Sequence, residues 1–175
     1  ASTVIETQPD QSRRADVSSG RAVKWRGIYA LVPAIIAFLS SLNSVWNYFA
    51  GDDLQQILGN PFIKHLSNVP AAFTTSVWAF TTSEVVFTTD SYFRPIFTAL
   101  STLNYAMFGT VPWGWHLVNV LIHTGVTLLV FVVAREVTEQ NWVSALTAAL
   151  FAVHPSHAES VAWISGAADP LMTAL

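Results

Sequence analysis

"GWHLVNVLIHTGVTLLVFVVA", Gly114–Ala134, runs for 21 residues without an Asp, Glu, Lys or Arg. As a helix rising 1.5 Å per residue it covers about 31 Å, the thickness of a bilayer's hydrocarbon core. Two histidines and an asparagine interrupt it, His116, Asn119 and His123. Their spacings of three and four place them on one helical stripe. Such a stripe turns away from lipid, toward neighbouring helices with which it can hydrogen-bond. Trp113 and Trp115 at one end suit the aromatic belt of a membrane interface, and Arg135 follows at the other. The stretch reads as a membrane span.

Composition extends that reading to the whole chain. It is 52% hydrophobic and 11% charged, with a mean hydropathy of +0.44, whereas soluble domains are about a quarter charged. The net charge of −3 and the lack of a basic stripe argue against nucleic acid. With no cysteine there is neither a disulfide framework nor thiolate chemistry. Gly27–Phe49, 23 residues without charge, is an earlier span; Pro33 near its start is tolerated in a membrane helix. A cleaved signal peptide is the rival reading, but the apolar run is too long and a second span follows. A third apolar run, Trp142–Val153, has only 12 residues, about 18 Å as a helix. Either it continues through "HPSHAES" to Ile164 or it stops early inside a protein-lined cavity. The expected fold is an all-α polytopic membrane protein. Its spans are near 27–49, 114–134 and 142–164, and a fourth begins in "DPLMTAL". The ends read as cut, so the chain is expected to be the amino-terminal piece of a longer protein.

Five of the eight Lys and Arg residues (Arg13, Arg14, Arg21, Lys24 and Arg26) precede the first apolar run. They predict a cytoplasmic, disordered tail over 1–26. The first span then leads outward, the second returns and the third leads outward again. Residues 50–113 form a non-cytoplasmic loop, with helix starts expected at Asn60-Pro61 and near Ser67–Phe73. In "SYFRPIFTALSTLNYAMFG", apolar residues recur with a period of about 3.6 from Phe93 to Met107. Pro95–Phe108 is too short to span and is expected to lie in the interface, apolar face toward lipid. The threonine-rich "FTTSVWAFTTSEVVFTTD" reads as short strands or a covering loop. Trp25, Trp46, Trp78 and Trp142 read as interface anchors.

The polar residues that can carry chemistry fall into two groups. Asp52 and Asp53 follow the first span. Neighbours on a helix point about 100° apart, so one carboxylate can act as base while the other orients a partner; solvated helix-end residues are the alternative. In "HPSHAESVAW", His154 and His157 are three apart and Glu159 follows. The imidazole pair has metal-ligand spacing but no further ligand, so the alternatives are a divalent metal or hydrogen-bonded helix-end histidines. Arg94 offers a guanidinium for a phosphate, or snorkels beside the interfacial helix. Glycine-rich phosphate loops and Gly-x-Ser-x-Gly elbows are missing from the sequence, which gives serine-nucleophile chemistry no support.

Taken in order, "GDD…I…NP…LSNV", "YFRP", "FG…P.GWHLVN…H" and "LFAVHPSHAESVAWISG.ADPL" resemble the membrane part of the transmembrane and tetratricopeptide-repeat (TPR) O-mannosyltransferases and their bacterial relatives, C-type glycosyltransferases. The resemblance covers roughly Val45 to Leu175. It implies a multi-pass enzyme of the bacterial inner membrane or the endoplasmic reticulum. Such an enzyme moves a sugar, mannose in the family's name, from a polyprenyl- or dolichyl-phosphate donor to a hydroxyl acceptor on protein or glycan. It further implies catalytic Asp52 and Asp53, and donor phosphate or sugar contacts from Arg94, His154, His157 and Glu159. No cofactor is implied with certainty. Ala167 departs from the pattern, because many relatives carry a basic residue there. Two other classes remain: a non-catalytic membrane scaffold subunit, and a metal-dependent membrane hydrolase or transporter.

Overall fold

The computed structural model describes the backbone of residues 12–80 and 93–174, and the side chains of 27–80 and 93–173. Among the described residues every regular element is helical. Helix α1 (Ser12–Ser41) runs back through residues 12–26, where the sequence has no periodic apolar pattern. A 3-10 turn, Leu42–Trp46, ends it. Irregular chain with short 3-10 turns at Phe62–Lys64, Leu66–Asn68 and Pro70–Phe73 follows. The expected start at Asn60 is real but brief: Asn60 Oδ1 accepts the Phe62 N–H at 2.9 Å. The threonine-rich segment lies outside the described residues from 81 to 92.

Helix α2 (Pro95–Phe108) keeps its expected bounds. Proline opens it where an N–H would go unpaired, and Gly109, at φ 56°, ends it in a conformation that favours glycine. Helix α3 (Pro112–Thr138) follows, then a tight turn with Glu139 at φ 55°, then α4 (Asn141–Ala152). Arg135 Nε donates to Asn141 Oδ1 at 2.6 Å across that turn. Helices α1, α3 and α4 pack against one another.

The segment 142–164 is not one helix. Pro155 biases the residue before it away from helical backbone, and His154 is extended at φ −67°, ψ 129°. The chain then proceeds through a 3-10 turn (Pro155–His157), helix α5 (Ala158–Ala162), a second 3-10 turn (Ile164–Ala167) and helix α6 (Ala168–Ala174). Two helical segments, Gly27–Trp46 and Pro112–Thr138, are long and apolar enough to cross a membrane; Asn141–Ala152 is a shorter apolar helix.

The packing inverts the soluble pattern. Small residues line the inner face of α1 (Pro33, Ala34, Ala37) and of α4 (Ser144, Ala148, Ala152), and α3 buries His116, Asn119, His123 and Thr127 together with Trp115, Val120, Val126 and Phe131. Large aliphatics face outward on all three: Leu31 and Leu39, Leu121 and Val133, Leu146 and Leu150. Close backbone approach across small residues is how helices associate when burial from water does not drive them. Buried hydroxyls are satisfied within their own helix, as when Thr127 donates to the His123 carbonyl at 2.9 Å. Helix α2 buries Thr98, Ser101, Thr102 and Asn104 beside Phe97, while Ile96, Leu103 and Met107 point outward. At the α2–α3 junction, a Cβ on Gly114 would lie 2.2 Å from the Phe108 ring, so only glycine fits.

Ala148→Leu drives three extra carbons into a closed seam and is expected to destabilise the protein by about 1–3 kcal/mol. Leu150→Ala on the outward face should change stability by less than about 0.5 kcal/mol. Denaturation midpoints of the two variants in one detergent test the difference.

Candidate active site

The first group of polar residues is built on a turn. After Asn47 the chain bends at Gly51, whose φ of 56° favours glycine, and the indole of Trp163 lies 3.5 Å from the site of its missing Cβ. The turn separates the two carboxylates. Asp52 is exposed, and Asp53 is fully buried. Asp53 Oδ1 accepts the Ser165 backbone N–H at 2.8 Å and the Ser165 hydroxyl at 2.5 Å, while Oδ2 accepts the Ala50 N–H at 3.2 Å. Trp163 Nε1 donates to the Ala50 carbonyl at 3.0 Å. The segment "WIS", 163–165, therefore grips the Ala50–Asp53 turn at both ends.

The polar stripe of α3 anchors the same segment from the other side. Asn119 Nδ2 donates to the Trp163 carbonyl at 3.1 Å, and His123 Nε2 meets the Ala152 carbonyl at 3.1 Å. A carbonyl only accepts, so Nε2 carries the proton and His123 Nδ1 is left as an acceptor. His116, also fully buried, has no hydrogen-bond partner on either ring nitrogen among the described residues; the Asp53 charge acts on it and the Tyr48 backbone approaches it without hydrogen-bond geometry.

The second group lines an open groove of about 250 Å³ between the end of α1 and the His-Pro turn. Ser40, Asn43, Ser44, Asn47, His123, His154 and His157 are among the residues that line it, and among the described residues no Lys or Arg does. His154 Nδ1 accepts the Ser156 N–H at 3.3 Å, leaving its Nε2 as a donor. His157 packs on Phe151, ring centroids 4.2 Å apart, and lies 5.8 Å from the rings of His123 and His154. Burial, reinforced by His123 and His154, holds the His157 imidazole below its ordinary value of 6.5. Among the described residues no group of three or more acidic or imidazole side chains is placed to hold a metal ion.

The structure thus brings Asp53 to the chain that follows the His-Pro turn, and His154 and His157 to Asn47, six residues before Asp53. Arg94, half-buried at the start of α2, and Glu159, exposed in the first turn of α5, are not among the groove's lining residues. Ala167 is buried beside Val77, Phe97 and Ala168. Sequence reasoning did not single out Trp163 or Ser165, whose only signal was their position inside "SVAWISG.ADPL".

Asp53→Ala strands three donors in the interior and is expected to cost roughly 2–5 kcal/mol, whereas Asp52→Ala should leave the unfolding midpoint within about 0.5 kcal/mol of wild type. A folded-state pKa of His157 below that of the unfolded chain means the unfolded state takes up the proton first. Its contribution to stability is therefore present above about pH 6.5 and is lost on acidification, and a melting-temperature series from pH 7.5 to 5.5 should flatten in His157→Gln.

No family model matches the chain, and no solved structure matches it. Among characterised proteins it is 36% identical over 134 residues to Protein O-mannosyl-transferase Tmtc1 of Drosophila melanogaster, covering 77% of this chain and 15% of the relative. Protein O-mannosyl-transferase F38B6.6 of Caenorhabditis elegans is 30% identical over 168 residues, 94% of this chain and 24% of the relative. Protein O-mannosyl-transferase TMTC1 of Homo sapiens is 34% identical over 143 residues, 79% of this chain and 16% of the relative. The chain thus spans from about a seventh to a quarter of the relatives' own length. These relatives bear out the resemblance carried by the Gly-Asp-Asp and His-Pro segments: along most of its own length, the chain is similar to part of the TMTC-type protein O-mannosyl-transferases.

Proposed function

We propose that this chain is part of a membrane glycosyltransferase that moves a sugar, mannose by analogy with the relatives' names, from a polyprenyl- or dolichyl-phosphate donor to a hydroxyl acceptor on the non-cytoplasmic side. The observation that carries the reading is the division of the aspartate pair. Asp53 is bonded into the interior by Ser165, and Asp52 is left exposed beside it, its carboxylate without a hydrogen bond among the described residues. One acid locates the turn; the other is available as a base.

The membrane setting is supported by the two long apolar helices and by the outward row of aliphatics on α1, α3 and α4. A core helix of a soluble protein would bury that row. Five basic residues before the apolar part of α1, which begins at Gly27, favour a cytoplasmic amino terminus. The end of α1, the start of α3 and the end of α4 then gather on the opposite side, where Asp52 and the His-Pro turn lie. Helix α2, apolar face outward, rests at that interface and presents Arg94.

Transfer needs the acceptor hydroxyl deprotonated as the anomeric carbon gains oxocarbenium character and the phosphate departs. Asp52 takes the proton. Arg94 meets the phosphate charge, for which a planar guanidinium is suited. The groove, with mixed donors and acceptors and no cation, suits the neutral hydroxyls of the sugar: His154 offers a donor, His123 an acceptor, and a His157 held neutral forms hydrogen bonds instead of ion pairs. Glu159, exposed next to the groove-lining Ala158, accepts from the sugar or acceptor outside the groove.

In the full-length protein, Asp52→Asn should lower transfer from a panel of polyprenyl-phosphate sugars by about 10²–10⁴-fold while leaving the melting temperature unchanged. Wild-type turnover in that variant overturns the proposal.

A further inference from the structure

We propose that Trp163 and Ser165 are positioning residues for Asp52, acting as a two-point clamp on the turn that carries it; this rests on the reading of Asp52 as the base. Asp52 has no hydrogen bond of its own to fix its carboxylate among the described residues. Its backbone is fixed from both sides. On one side the Trp163 indole N–H holds the Ala50 carbonyl at 3.0 Å, and its ring closes over Gly51. On the other, the Ser165 N–H and hydroxyl hold Asp53. The turn also closes on itself, because the Ala50 N–H donates to Asp53 and the Asp53 N–H donates to the Ala50 carbonyl at 3.1 Å. Ala50 and Asp53 are thus fixed relative to each other and to a segment more than 100 residues away in sequence. Gly51 and Asp52 are the only residues between them, so Asp52 has little freedom left except its own rotamers.

The clamp's second end adds to this. Asn119 on α3 holds the Trp163 carbonyl, so the gripping segment is tied to a long helix rather than to another loop. Positions set by a rigid helix are more exact than positions set by mobile chain, and a misplacement near 1 Å at a reacting group costs about 10²-fold in rate. Trp163 and Ser165 touch no reacting atom in this account; their effect passes through the backbone on either side of Asp52.

The test uses the full-length protein with dolichyl-phosphate mannose and a serine/threonine peptide. Trp163→Phe keeps an aromatic ring over Gly51 and removes the N–H donor; Ser165→Ala removes the hydroxyl and keeps the backbone donor. Each is expected to lower kcat by about 10–100-fold, with KM for the donor within about twofold and the folded fraction, measured by gel filtration and thermal melting, near wild type. On an Asp52→Asn background neither should lower the residual rate further. Wild-type kcat in both variants, while Asp52→Asn is inactive, overturns the clamp and leaves the base standing. A silent result in one of them removes that residue from the clamp. Loss of rate that only tracks loss of folded protein, or a matching loss on the Asp52→Asn background, makes the contacts structural and also overturns it. Wild-type turnover in Asp52→Asn itself sinks the base, and the clamp with it. Should Ser165→Ala fail to fold, Trp163→Phe decides the matter alone.

Discussion

A carboxylate without solvent must find donors or give up its charge, and Asp53 finds three. Two come from Ser165 and one from Ala50. That requirement sets the position of everything around it. It holds the loop leaving α1 against the chain entering α6, and it determines which face of the Gly51 turn looks inward. The asymmetry of buried polar groups sharpens the point: a completed bond contributes about 1 kcal/mol, but a donor left alone in the interior costs more. Arrangements of this segment that separate Asp53 from Ser165 are therefore disfavoured, and the exposed place of Asp52 follows.

The helices obey a related constraint. Many of their contacts are made by Ala, Ser, Pro, His, Asn and Thr, joined on α3 by Trp115, Val120, Val126 and Phe131, while many of the Leu, Ile and Val side chains look outward. Water would reverse that order, because burying the aliphatics would be worth about 25 cal/mol per Å². Here cohesion comes from close packing along α1 and α4 and from side-chain bonds to backbone carbonyls, as at Asn119 and His123. The His-Pro turn is placed by those bonds more than by local preference, since the short elements after Ala152 have few residues with which to stabilise themselves.

How far the sequence alone could reach depends on the range of the interaction. The helix at 112–138 was legible from its uncharged run, and its inward stripe from the spacing of His116, Asn119 and His123. The bounds of α2 were legible because Pro95 and Gly109 mark them with backbone chemistry. The abrupt end of α4 was half legible: the apolar run stops at Val153, and the sequence left open whether the helix continues through "HPSHAES" to Ile164. Unequal roles for Asp52 and Asp53 were legible, but not which of the two turns inward. Two identical side chains side by side differ only through Ser165, 112 positions later, and no period or cap connects them. Ser165 and Trp163 were invisible for the same reason.

That separation also carries a consequence in time. Bringing two points together across a long loop costs an entropy that grows with the logarithm of its length, so the Asp53–Ser165 contact belongs to the last stages of folding. A ribosome adding about 5–20 residues per second needs on the order of 6–22 seconds to deliver Ser165 after Asp53. Throughout that interval the nascent chain carries an acidic group with its future interior partner not yet made, which keeps the Gly51 turn hydrated and unsettled until the Trp163–Ser165 segment arrives to close it.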